Sequence, residues 1–151
     1  MDRQIDLIAV NVKSGQRLPC VVTTSESSES CQIVVSIDET AIASGQGYDF
    51  EQALQLLRTE LENHGLHLLC NRYRRNAFVT SMSRQMSGGL RCYLVRPRRP
   101  VDSDQIVDCL GMADESDVVG LEAADAFIAR WKARPPVLIL PMLVWQSWRE
   151  R

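Results

Sequence analysis

Residues 49–70 read DFEQALQLLRTELENHGLHLLC, and the architecture follows from this segment. Phe50, Ala53, Leu54, Leu57 and Leu61 recur at spacings of three and four, which draws one apolar stripe along an α-helix. Asp49 stands where a side-chain oxygen caps the first turn, and Gln52 three residues on comes close to a capping box. Arg58, Thr59, Glu60 and Glu62 are expected on the solvated face. Gly65 suits the left-handed residue that ends a helix, and Leu66 to Cys70 reads as a strand returning across the core. A helix that lays its stripe on strands makes a layered α+β packing.

Upstream, Ile5, Leu7, Ile8, Val10 and Val12 mark a strand, and residues 13–16 a turn. Leu18 to Thr24 is the hairpin partner, with Pro19 suggesting an edge position. Residues 25–30 form a polar loop and Gln32 to Ile37 a third strand. Residues 38–47 read as a loop because of Gly45 and Gly47. Downstream, Phe78 to Thr80 is a short strand, Ser81 to Gly89 a loop, and Leu90 to Val95 and Ile106 to Leu110 two further strands. Ala123, Ala124, Phe127, Ile128 and Trp131 set a second helix from Leu121 to Ala133, stopped by Pro135 and Pro136. The expectation is a single α+β domain over residues 1–134. It has a mostly antiparallel sheet of about five to seven strands with two helices. Residues 135–151 form an apolar extension whose segment Val137 to Trp145 is a last strand candidate, packing on the sheet or across a homodimer.

A chain of 151 residues, 45% hydrophobic, fits one domain of the usual ~100–150 residues. Its net charge of −2 excludes a uniformly basic nucleic-acid protein and a strongly acidic mimic. Met1 to Asp6 carries acid and no apolar core, so no secretory signal is expected. The longest apolar run, Val137 to Trp145, is nine residues with Pro141 inside, whereas a spanning helix needs ~20. The reading is a cytoplasmic protein with no membrane contact. Cys20, Cys31, Cys70, Cys92 and Cys109 are odd in number and lack a C-x-x-C pair, so neither a disulfide framework nor a zinc site is expected. Small buried hydrophobes are the simpler role for them. No cofactor is expected.

The charge is segregated along the chain. Residues 71–100 hold eight arginines and no acid; residues 101–125 hold eight acids and no base. Three readings compete. The blocks pair with each other at the surface, where each pair is worth only ~0–1 kcal/mol. Alternatively, Arg72, Arg74, Arg75 and Arg84 with Ser87, Gly88 and Gly89 form an anion or nucleic-acid site within 72–91, where Tyr73 and Phe78 could stack on bases. Or one block docks a protein of opposite charge, with Asp102, Asp104 and Asp108 as the contacting side. His64 and His67 form no metalloprotease pattern, and a small enzyme using Cys70 or His67 is a third option. Met82 and Met86, four apart, are expected in the core.

Several pieces between Asp49 and Arg134 together carry a resemblance. They are the helix Phe50-Glu51-Gln52-Ala53-Leu54 with Leu57-Arg58-Thr59-Glu60-Leu61-Glu62, then Leu68-Leu69-Cys70-Asn71 and Arg75-Asn76. Ser81-Met82-Ser83-Arg84-Gln85-Met86-Ser87-Gly88-Gly89 follows, and then Ile106-Val107-Asp108 and Ala126-Phe127 with Trp131. Just over half the chain thus resembles a family of small, uncharacterised bacterial proteins. These have a P-S-G-M-x-x-x-M-G-x-G-like loop and a terminal helix carrying F-x-x-x-W. Val79-Thr80 stands where the loop proline is expected, and Ser87 where its first late glycine would be. Pro135 to Arg151 is an addition to the family pattern. The resemblance implies an immunity-type protein. The expected function is therefore a non-enzymatic module that binds a protein partner such as a bacterial toxin.

Overall fold

The computed structural model describes residues 2–133. It is one α+β domain with eight strands in two antiparallel sheets and three α-helices. Four strands open the chain as a meander: β1 (Arg3–Asn11), β2 (Arg17–Glu26), β3 (Cys31–Ile37) and β4 (Thr40–Gly47). After helix α1 (Phe50–Asn63), strand β5 (Leu66–Leu68) pairs with β1 and completes a five-stranded sheet in the order β4-β3-β2-β1-β5. Leu7, Ala9, Cys20, Val22, Ile33, Val35 and Ala43 alternate inward and are buried. The α1 stripe of Phe50, Ala53, Leu54, Leu57 and Leu61 packs against that face, each buried side chain contributing roughly 1.5–3 kcal/mol if large.

The helix forms where its signals place it. The Asp49 carboxylate accepts the Gln52 amide at 2.9 Å, and Gly65 takes φ +70 just beyond the C-cap His64. The second half holds β6 (Ala77–Phe78), α2 (Ser81–Ser87), β7 (Arg91–Leu94), β8 (Ile106–Asp108) and α3 (Leu121–Ala133), with sheet order β6-β7-β8. The bounds of α3 match the expected helix, but Ala124 alone of its stripe is buried; Phe127, Ile128 and Trp131 are half-buried and Ala123 is exposed.

Four expectations are corrected. Residues 40–47 are strand β4, not loop. A two-residue turn at Asp38 and Glu39, both at positive φ (51 and 65), closes the β3–β4 hairpin in the manner of a primed turn. Gly45 is there for contact: a Cβ on it would overlap the Ala53 carbonyl oxygen and lie 2.7 Å from the Leu57 nitrogen. Residues 81–87 are a third helix, not loop. Its serines cap: Thr80 and Ser83 exchange side-chain and backbone hydrogen bonds at 3.0 Å, and Gly88 ends the helix at φ +67. Pro19 lies on an inner strand, yet β3 pairs with β2 only from Val21 onward, so the proline has no neighbour there. Met82 and Met86 are outside the core, 69% and 82% exposed. The extension 135–151 and its proposed packing lie outside the described residues.

Gly45→Ala is expected to destabilise the fold by about 3 kcal/mol, because the new methyl meets helix backbone. Gly47→Ala should lose clearly less, since its nearest neighbours belong to the Gln52 side chain. Urea denaturation of both variants checks this order.

Candidate functional site

Helix α1 has a second working row beside its apolar stripe. Glu51, Arg58 and Glu62 follow at turn spacing and face the second half of the chain. Arg72 grips Glu51 through two hydrogen bonds of 2.9 and 2.7 Å, and both side chains are nearly buried. Arg58 is only 3% exposed. Its Nη2 donates to the carbonyls of Tyr73 (3.2 Å) and Val119 (2.8 Å), and its guanidinium lies 4.9 Å from the Tyr73 ring centre. Tyr73 is buried and donates its hydroxyl to the Leu54 carbonyl at 2.6 Å. Glu62 accepts the Leu121 amide at 2.6 Å and so caps α3 from another helix. Arg58 is thus buried and not on the solvated face expected for it with Thr59, Glu60 and Glu62.

The charge blocks mostly do not pair with each other. Arg74–Asp117 at 3.5 Å is the one ion pair joining them among the described residues. Arg72 goes to Glu51 and Arg84 to Asp49, both at the start of α1. Asp108 meets Arg3 at 2.6 Å and Glu115 meets Arg17 at 2.9 Å, both from the first hairpin. Each block is therefore tied mainly to the N-terminal half.

The residues of the anion reading do not converge as a set. Arg75 lies over the Phe127 ring at 5.7 Å, and Arg84 also donates to the Tyr48 hydroxyl. Ser87 donates to the Ser83 carbonyl; the Gly88 carbonyl accepts the Phe50 amide at 2.8 Å; Gly89, at φ +92, packs on the Glu51 backbone. Tyr73 is enclosed and Phe78 rests 5.2 Å from Trp131, so neither offers a free face of the kind base stacking needs. Only Arg72 and Arg84 of that set share a cavity. It holds about 480 Å³ between α1, the β6–α2 junction and α3, and its other cations are Arg58 and Lys132.

On the far side of α2, a groove of about 500 Å³ runs between that helix and strands β7 and β8. Met82 and Met86 form one wall, Leu90, Tyr93 and Ile106 the floor, and Arg91 with the Arg3–Asp108 pair the rim. Of the acids expected to dock a partner, Asp108 is engaged. It also accepts the Leu110 amide at 3.0 Å. Asp102 caps the short 3-10 turn before β8 by accepting the Asp104 amide at 2.9 Å. Asp102 and Asp104 are exposed and make no ion pair among the described residues.

The thiol option is weakened by burial. All five cysteines are free and buried. Burial pushes the Cys70 thiol up to about 12 and that of Cys20 to about 11, so both stay protonated at neutral pH. Burial likewise lowers His67, against the opposing charge of Glu62. Among the described residues no group of three or more His, Cys, Asp or Glu is arranged to hold a metal ion, and no helix is long and apolar enough to cross a membrane. No protein-family model matches the chain, and no curated protein matches it.

Glu51→Gln, which leaves Arg72 buried without its counter-charge, should cost about 3 kcal/mol of stability. The double variant Glu51→Gln/Arg72→Met should recover most of that loss, as read by chemical denaturation. A second outcome follows from Asp49. Burial raises its carboxyl, but the Arg84 hydrogen bond, the Gln52 amide and the Arg84 charge outweigh it and leave it below its ordinary value. The stability it confers over Asp49→Asn is complete above the ordinary carboxylate value of ~3.9 and fades as pH falls through the lower folded value. Melting curves of the two proteins should differ at neutral pH and converge near the acid limit.

Proposed function

We propose that this protein is a cytoplasmic, non-enzymatic docking module that binds another protein through the methionine-walled groove and the neighbouring aspartates. In its most concrete form it is an immunity protein covering a bacterial toxin. The carrying observation is the exposure of Met82 and Met86, 69% and 82%, on one face of α2. A monomer gains nothing by leaving two such side chains in water beside an apolar floor. Methionine is flexible and polarizable, which suits a contact surface that adapts to its partner. Asp102 and Asp104 lie in the turn that leads directly into Ile106 of the groove floor. The occupant that fits is a protein segment with an apolar tip and basic flanks, such as the edge of a nuclease cleft. Opposite charge speeds such association, and the buried apolar contact holds it. The same reading is what the resemblance of residues 49–134 to a family of small, uncharacterised bacterial proteins implies.

The test is co-expression with the product of the adjacent gene, followed by titration of the purified pair. Met82→Glu/Met86→Glu should weaken the complex by more than ~tenfold while leaving the melting temperature unchanged. Asp104→Arg should slow association and steepen its dependence on salt. A complex indifferent to both changes would overturn the docking face.

A further inference from the structure

We infer that the cavity between α1 and α3 is a binding site for a small organic anion: a carboxylate or phosphate head on an apolar body. Its volume, about 480 Å³, falls in the ~300–1,000 Å³ range of small-molecule sites. It shares no lining residue with the methionine groove, so it stands apart from the docking proposal.

The argument rests on an imbalance of hydrogen-bonding groups. Arg58 is buried, yet its two hydrogen bonds both leave from Nη2 and end on neutral carbonyls. The nearest carboxylate, Glu62, is 3.9 Å from its Nε and is already committed to the Leu121 amide. Arg72 uses Nε and Nη2 on Glu51. The Nη1 groups of both arginines therefore have no hydrogen-bond partner among the described residues and are open to water, since the one enclosed side-chain donor without a partner is Arg74 Nε. The same holds for the Ser81 hydroxyl and the Lys132 ammonium, which line the same cavity. Lys132 sits 5.0 Å from the Phe78 ring centre and is one of only two lysines in a chain whose other cations are arginine. On the acceptor side, Asp125 is the one lining carboxylate outside an ion pair, and it is exposed on α3. An open-mouthed cavity lined by two cationic forks, a lysine and one unpaired carboxylate fits an oxyanion with several lone pairs. Val79, Ala124 and Ile128 give the remainder of the ligand an apolar surface.

The full chain is titrated with phenyl phosphate, benzoate and, as the charge-reversed control, benzylamine, with calorimetry and arginine side-chain NMR as readouts. One anion should bind at a single site and shift the Arg58 and Arg72 signals; the tighter of the two assigns the head group. Lys132→Ala should weaken binding about tenfold, the loss of one charge-assisted hydrogen bond. Ala129→Trp, on the exposed rim of α3, should close the mouth and abolish binding without lowering the melting temperature. The inference is overturned by benzylamine binding as tightly as the anions, by anion binding that survives Ala129→Trp, or by neither anion binding at millimolar concentration.

Discussion

Arg58 cannot be buried unless both halves of the chain are in place. Its guanidinium is desolvated inside the fold, and burial alone pulls its pKa downward against the stabilising neighbours Tyr73 and Glu62. The groups that make that burial tolerable are two backbone carbonyls and a tyrosine ring from the second half, at Tyr73 and Val119. Around it, Glu51 holds Arg72, Leu54 accepts Tyr73, and Glu62 caps α3. The result is a helix with an oily side set on the five-stranded sheet and a polar side that organises everything after residue 70. Loss of any one of these buried partners leaves another unsatisfied, which is why the contacts act as a set.

The oily side was legible in the sequence because period and capping agree. The stripe, the Asp49 cap, the Gly65 stop, the α3 bounds and the buried cysteines all follow from local rules. What misled were residues with two meanings. Gly45 and Gly47 signal a loop in a linear reading, but here glycine lets a helix approach a strand. Ser81, Ser83 and Ser87 read as loop composition, while in three dimensions Ser83 completes the Thr80 cap and Ser87 pins the end of a short helix. Pro19 marks a local edge of an inner strand. None of these can be told apart without knowing which element lies across the way.

The site was legible only in part for a related reason. Charge segregation was visible, but its resolution was not, because partners such as Glu51, Asp49, Arg3 and Arg17 lie outside both blocks. A charged residue next to an apolar stripe is usually solvated, so Arg58 gave no warning of its burial. The spacing Glu51, Gln55, Arg58, Glu62 is a second helical row of polar residues, and that pattern was the one available signal. Met82 and Met86 carried none, since apolar residues four apart on a helix belong to the core more often than to a surface.

The layout of the five-stranded sheet also bears on how the chain is born. All five strands and α1 lie between residues 3 and 68, a contiguous run in which β1 to β4 pair through hairpins and β5 returns past α1 to β1. On a ribosome this half emerges first and can close its sheet while the rest is still being made. For that interval the polar row of α1 stays hydrated, and Glu51 and Arg58 meet water instead of Arg72 and Tyr73. Synthesis of residues 71–133 then delivers a second half whose docking instructions are already displayed on a finished template.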